Sequence, residues 1–175
     1  MSIITKKICL LGDFSVGKTS LIRRFIEDKF SDDYLSTVGV KVSRKCLTIR
    51  GSKEIHNVTL LIWDLEGHTK FKSITPTYLK GSTGAIIVGD LTRSSTLDNL
   101  DQHIELFLEI NPHSAIAIAL NKADLIQPEK LHRLIELYGS SDCCQVVNTY
   151  QTSAKTGQDV NTIFQELTTR MIHPW

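Results

Sequence analysis

The sequence predicts an α/β fold: an open, mostly parallel sheet of six strands with one antiparallel edge strand and helices on both faces. Three observations predict it. Strand-like and helix-like segments alternate from end to end, with no repeat and no low-complexity stretch. Most of the strand candidates are continuous apolar runs, as strands covered on both faces require. One, Val40 to Ile49, instead alternates polar and apolar residues, as an edge strand does.

Taken in order, the first strand candidate is Lys6 to Leu11, with Ile8-Cys9-Leu10-Leu11 as its buried run. Leu21, Ile22, Phe25 and Ile26 then recur at helical spacing. Val40 to Ile49 reaches Val58 to Asp64 through the short connection Arg50-Gly51-Ser52-Lys53, which suggests a hairpin and an antiparallel pair. Gly84 to Asp90 is the fourth strand. Leu97, Leu100, Ile104 and Phe107 predict a helix that stops at Asn111-Pro112. Ser114 to Leu120 is the fifth strand, and Leu131, Leu134, Ile135 and Tyr138 mark a helix ending near Gly139. Gln145 to Tyr150 is a short sixth strand, and Val160, Ile163, Phe164, Leu167 and Met171 mark the last helix.

Composition bounds the chain to one globular domain over residues 1–175, long enough to bury about 70% of its unfolded surface. The 41% hydrophobic and 22% charged content is ordinary globular usage. A net charge of +1 gives no field that would draw it to nucleic acid or an anionic membrane. The four cysteines have no metal spacing: Cys9 and Cys46 fall in strand-like runs, and Cys143-Cys144 are adjacent. They read as reduced thiols of a cytosolic protein. No signal peptide is seen, and no apolar run approaches the roughly 18 residues of a membrane span.

The chemistry begins between the first strand and the first helix. Gly12-Asp13-Phe14-Ser15-Val16-Gly17-Lys18-Thr19 fits the phosphate-binding loop pattern, with Ser20 continuing into the helix. A loop in that place aims backbone N–H groups and the positive end of the helix dipole at an anion. Lys18 would reach the terminal phosphates and the Thr19 hydroxyl would hold Mg²⁺. The plain alternative is a chance match, expected in roughly one chain of this length in a hundred. The strand–loop–helix context makes it rarer. These observations place the fold among the P-loop NTPases.

A second motif addresses the base. Asn121-Lys122-Ala123-Asp124 follows the apolar run Ala115 to Leu120, with Leu125 beside it. An Asp carboxylate at a strand end pairs with the N1–H and exocyclic NH₂ of guanine, a pair that adenine lacks. Lys122 can lie along the face of the base, and Ser153-Ala154-Lys155 would close the pocket with a backbone N–H. Alone this motif could be a surface loop; about a hundred residues downstream of a phosphate loop it is specific. A third motif, Asp64-Leu65-Glu66-Gly67, ends the strand Val58 to Trp63. Asp64 would hold Mg²⁺ through water, the Gly67 N–H would meet the γ-phosphate, and Thr37 would complete the metal shell. Segments ordered only by a γ-phosphate form a two-state element.

From Lys6 to about Met171 the chain resembles the Ras superfamily of small GTPases, and most closely its Rab branch. Thr37-Val38-Gly39-Val40, Leu61-Ile62-Trp63-Asp64, Lys70-Phe71-Lys72-Ser73-Ile74-Thr75, Tyr78-Leu79-Lys80-Gly81 and Thr152-Ser153-Ala154-Lys155-Thr156-Gly157 carry the likeness in order. The resemblance implies a GTP/GDP switch with Mg²⁺ as cofactor. Effectors, exchange factors and activating proteins would read Phe30–Val42 and Gly67–Lys80. A cytoplasmic monomer is expected. Phe30 would pack against the guanine edge, or serve simply as a helix-end hydrophobe, and Tyr34 would close over the phosphates. Trp63 would lie in an effector patch or in the core. Rab proteins also end in a flexible tail with prenylated cysteines. Here the sequence ends Ile172-His173-Pro174-Trp175 with no Cys nearby, so a membrane role is expected to need a partner.

Three residues depart from the pattern. His68 stands where Gln orients the attacking water. Phe14 occupies a loop position that is usually small, and Glu66 one next to the γ-phosphate site that is also small. Three readings are open. His68 can substitute for Gln, as the His of translational elongation-factor GTPases does. Hydrolysis can be slow, with Phe14 obstructing an arginine finger. Glu66 can lie against the phosphates, point to solvent, or pair with Lys70 or Lys72. A slow GTPase, with His68, Lys18, Thr37 and Gly67 at the reacting phosphate, is the expectation, and a nucleotide-locked scaffold is the alternative. His56, His103, His113, His132 and His173 are read as surface residues, and Arg23-Arg24 as a solvated face.

Overall fold

The computed structural model describes residues 3–33, 37–51, 54–67 and 76–173. Six strands form one sheet: β1 (Ile3–Leu11), β2 (Val40–Arg50), β3 (Ile55–Leu65), β4 (Gly84–Asp90), β5 (Ala115–Asn121) and β6 (Val146–Gln151). The order is β2-β3-β1-β4-β5-β6. Among the described residues only β2 runs antiparallel to its neighbour, pairing Val40 with Leu65 through Arg50 with Ile55. The alternation that marked β2 as an edge is realised: it lies at one end of the sheet and buries Ile49 while exposing Thr48 and Arg50. β4 and β5 are buried at every residue, matching their unbroken apolar runs.

Successive residues of β1 point to opposite faces and so feed two cores. Ile8 and Leu10 join α1 (Lys18–Glu27) and α6 (Val160–Ile172), where Phe25 stacks on Phe164 with ring centroids 4.0 Å apart. Cys9 and Leu11 join α2 (Pro76–Leu79), α3 (Ser94–Asp98) and α4 (Leu100–Ile110) on the other face. The helix α5 (Pro128–Tyr138) adds Leu131, Leu134, Ile135 and Tyr138 to the second core from outside. Pro at its first turn needs no N–H partner there. The one helix expected around Leu97–Phe107 is two, separated at Asn99 (φ −88°, ψ −3°). Among the described residues no helix is long and apolar enough to cross a membrane.

β1 pairs with both β3 and β4, so the chain departs to opposite sides of β1 and leaves a crevice at its carboxyl end. The loop, base and Asp-x-x-Gly motifs fall at that edge of the sheet: after β1, β3, β5 and β6.

Candidate functional site

The loop after β1 is held by its carbonyl oxygens. The Lys18 ammonium donates to Gly12 O and Asp13 O, both at 2.8 Å. Arg93 Nη2 donates to Phe14 O at 2.8 Å, Lys122 Nζ to Ser15 O at 3.0 Å, and Asn121 Nδ2 to Val16 O at 2.9 Å. Gly17 O takes the first helical bond, from Leu21 N–H. A trans peptide points its N–H away from its carbonyl, so the loop's N–H groups turn away from these donors. Ser15 (φ +62°) and Gly17 (φ +102°) supply the left-handed residues such a concave run of amides needs. A Cβ at Gly17 would sit 2.3 Å from Asn121 Nδ2, so the loop and the β5 end require glycine there.

Two donors of this set are governed by one buried acid. Asp90, at the end of β4, has no exposed surface. Its Oδ2 takes Lys122 Nζ at 2.7 Å and Arg93 Nε at 3.0 Å, and its Oδ1 takes the Thr92 hydroxyl at 2.6 Å and N–H at 2.9 Å. Burial pushes the Asp90 carboxyl upward, but the bonds from Lys122, Thr92 and Arg93 together outweigh it and hold its pKa below the ordinary carboxylate value.

The space in front of the loop runs from a phosphate end lined by Phe14, Lys18, Thr19 and Thr37 to a larger end of about 270 Å³ lined by Phe30, Asn121, Lys122, Asp124, Leu125, Ala154 and Lys155. Ser15, Gly17, Ser20 and Phe30 line both, so the two ends are one cleft. Asn121 ties its walls together: besides Val16 O, its Oδ1 receives the Thr152 hydroxyl at 3.2 Å and the Ala154 N–H at 3.3 Å. The Asp124 carboxylate is exposed at the far end, and the buried Ser153 hydroxyl donates to it at 2.6 Å. Phe30 is half-buried and packs on the first core while lining the cleft.

At the phosphate end, oxygens of three segments converge. Thr19 Oγ1 donates to Asp64 Oδ2 at 2.6 Å and lies 2.7 Å from Thr37 Oγ1. The other oxygen, Asp64 Oδ1, is buried without a hydrogen-bond partner among the described residues. Burial pushes the Asp64 carboxyl above its ordinary value, against the Thr19 bond and the Lys18 charge. Two hydroxyls and one carboxylate, with one of its oxygens orphaned, fit a hard cation with oxygen ligands such as Mg²⁺. They do not fit a soft metal, and among the described residues no His, Cys, Asp and Glu cluster could hold one.

The two segments around this point are joined. Glu66 N–H donates to Gly39 O at 2.9 Å, and Gly39 N–H donates to Glu66 Oε2 at 2.8 Å. Of the readings open for Glu66, none named this partner: its carboxylate faces the backbone of the Thr37–Gly39 segment. Gly67 lies against the loop so closely that a Cβ would stand 2.6 Å from Asp13 O and 2.5 Å from Lys18 Nζ.

Tyr34, His68, Lys70 and Lys72 lie outside the described residues, so the proposals for them have no structural account. Four surface readings are corrected: His56 is half-buried, as is Arg23, which lines the phosphate end of the cleft. His103 is buried on α4, with Nε2 2.8 Å from Asp13 Oδ1. Arg24 is half-buried: Nε donates to Ala154 O at 2.8 Å and Nη2 to Lys155 O, so it fastens the last loop of the cleft to α1. Sequence reasoning also passed over Asp90, Arg93 and Asn99. For Asp90 a signal existed, an acid closing a wholly apolar strand. Trp63 is half-buried, with Lys7 Nζ 3.9 Å above its ring, an intermediate between patch and core.

The chain matches the Ras family over residues 7–173. Human Ras-related protein Rab-22A is 37% identical over 173 residues, 98% of this chain and 86% of that protein. Ras-related protein RABF2a of Arabidopsis thaliana is 34% identical, with 96% of this chain and 82% of the relative covered. The GTP-binding protein ypt5 of Schizosaccharomyces pombe is 34% identical, with 96% and 78% covered.

Proposed function

From the premise that this chain belongs to the Ras family, on its Rab branch, we infer that it is a guanine-nucleotide switch that hydrolyses GTP slowly and acts through proteins reading Phe30–Val42 and Gly67–Lys80. The observation that carries the reading is the loop with every carbonyl from Gly12 to Val16 engaged by a side-chain donor, opening on a cleft that ends at Asp124. The loop's N–H groups and Lys18 bind the phosphates, and Asp124 pairs with the guanine edge while Lys122 flanks the ring. Thr19, Thr37 and Asp64 would hold Mg²⁺, which when bound neutralises charge on the phosphates. Gly67 offers its N–H to the γ-phosphate. Phe14, 43% exposed at the phosphate end, would obstruct an arginine inserted by an activating protein, and such fingers are worth about 10³–10⁵ in rate.

The test is to denature the purified protein, identify the released nucleotide by chromatography, and measure single-turnover hydrolysis. GDP with a rate well below that of a Gln-bearing Rab is expected. ATP or ADP would overturn the guanine reading, and a rate equal to the Gln-bearing relative would overturn the slow one.

One observation favours a second reading, a nucleotide-locked scaffold. The Glu66–Gly39 bond pair and the Thr19–Thr37 contact already hold both switch segments against the metal site. GTP recovered intact would select it.

A further inference from the structure

Asp13 is the second residue of the phosphate loop, yet its side chain turns away from the cleft. Oδ2 accepts Asn99 Nδ2 and Oδ1 accepts His103 Nε2, each at 2.8 Å. A carboxylate only accepts, so Nε2 carries the proton. Both side chains are nearly sealed, with 2% of His103 and 11% of Asp13 exposed. A buried negative charge beneath an anion site repels the anion, so attraction of phosphate does not explain it. Anchoring does. The backbone oxygen of the same residue receives Lys18 Nζ, and Gly67 packs directly on it. Asn99 and His103 lie one turn apart, and the break between α3 and α4 falls at Asn99, the residue that reaches the loop.

We propose that Asn99 and His103 are positioning residues: they grip Asp13 from α4 and so fix the loop carbonyl that places Lys18 and the backbone that abuts Gly67, which sets how long the nucleotide stays bound. The second core, to which α4 belongs, thereby acts on nucleotide release without touching the ligand. The proposal rests on the reading of the cleft as a guanine-nucleotide site.

The test is release of a fluorescent N-methylanthraniloyl-GDP from the full chain, chased with excess GDP, with the melting temperature recorded for each variant. His103→Leu keeps bulk and removes the donor. Losing a hydrogen bond to a charged group corresponds to release about ten- to hundredfold faster. His103→Gln can donate from its amide and should return release to within about threefold of wild type, a rescue that a mere packing role would not give. Asn99→Ala, which leaves His103 in place, should speed release by about tenfold or less. His103→Leu within about twofold of wild type, or Gln no better than Leu, overturns the proposal. If His103→Leu fails to fold, wild-type release from Asn99→Ala overturns it, and faster release at an unchanged melting temperature supports it. A wild-type chain that binds no guanine nucleotide is a different failure, and removes the reading of the cleft itself.

Discussion

Replacing Asp90 by Asn tests the carbonyl-holding arrangement where it is most exposed to failure. The substitution keeps the volume and one acceptor for Thr92, but turns an NH₂ or a neutral oxygen toward two cations. Oδ2 now takes Lys122 Nζ at 2.7 Å and Arg93 Nε at 3.0 Å inside a residue with no exposed surface. Breaking a buried charge pair costs about 3–5 kcal/mol. Here Lys122 is 30% and Arg93 40% exposed, so water takes up part of the loss and about 3 kcal/mol is the appropriate figure. For a domain of this length that is a fall in melting temperature of about 6–12 °C. The same two cations hold Ser15 O and Phe14 O. Release of the fluorescent GDP should therefore quicken by about tenfold. Scanning calorimetry and stopped-flow release read the two effects. A melting temperature within about 2 °C of wild type, with release unchanged, would refute the claim that Asp90 governs the loop.

Three further outcomes follow from the same geometry. Burial, outweighing the attraction of Asp13 and aided by Lys18, holds the pKa of His103 below its ordinary 6.5. The unfolded chain therefore takes the proton first, and stability present above about pH 6.5 is lost as pH falls toward the folded value. Denaturant unfolding should show this loss in wild type and a smaller one in His103→Gln; equal losses contradict it. Chelation of Mg²⁺ by EDTA should speed nucleotide release by about tenfold or more, and Asp64→Asn should make release nearly insensitive to EDTA. Glu66→Ala removes the bond to Gly39 N–H and should weaken a non-hydrolysable GTP analogue relative to GDP by about three- to tenfold. Titration calorimetry gives the ratio, and tighter analogue binding would mean that the carboxylate opposes the phosphates instead.

The sheet was legible because burial leaves a direct trace: β4 and β5 are apolar at nearly every residue, and β2 alternates. The nucleotide motifs were legible because backbone geometry restricts them to particular residues, Gly17 and Gly67 above all. Part of what remained hidden has a common cause. Arg24, Arg93 and Lys122 bond to backbone carbonyls of Ala154, Phe14 and Ser15. Every residue carries a carbonyl, so such partners leave no mark on composition or spacing. The break at Asn99 was hidden because Leu97, Leu100, Ile104 and Phe107 keep helical spacing through a one-residue interruption. His103 lies among these apolar positions, and nothing in the sequence announces that Asp13 waits opposite.

The buried acids around the cleft also resolve an apparent conflict of charge. Asp13 and Asp64 stand close to a site built for anions, which by itself disfavours phosphate. Lys18, however, is an ammonium enclosed by the loop, and burial alone drives it toward the neutral form, unable to attract a phosphate. Its pKa is brought down to about 8 by that burial, with Asp64 and Asp13 opposing the fall. At pH 7 it is therefore still charged. The two carboxylates thus help to keep the ammonium charged. Their roles then separate when nucleotide arrives: Asp64 shares the hydroxyls of Thr19 and Thr37 and is available to a cation, whereas Asp13 is held by Asn99 and His103 and keeps the loop in place. Substituting either should thus weaken nucleotide binding, even though each removes a negative charge from an anion site.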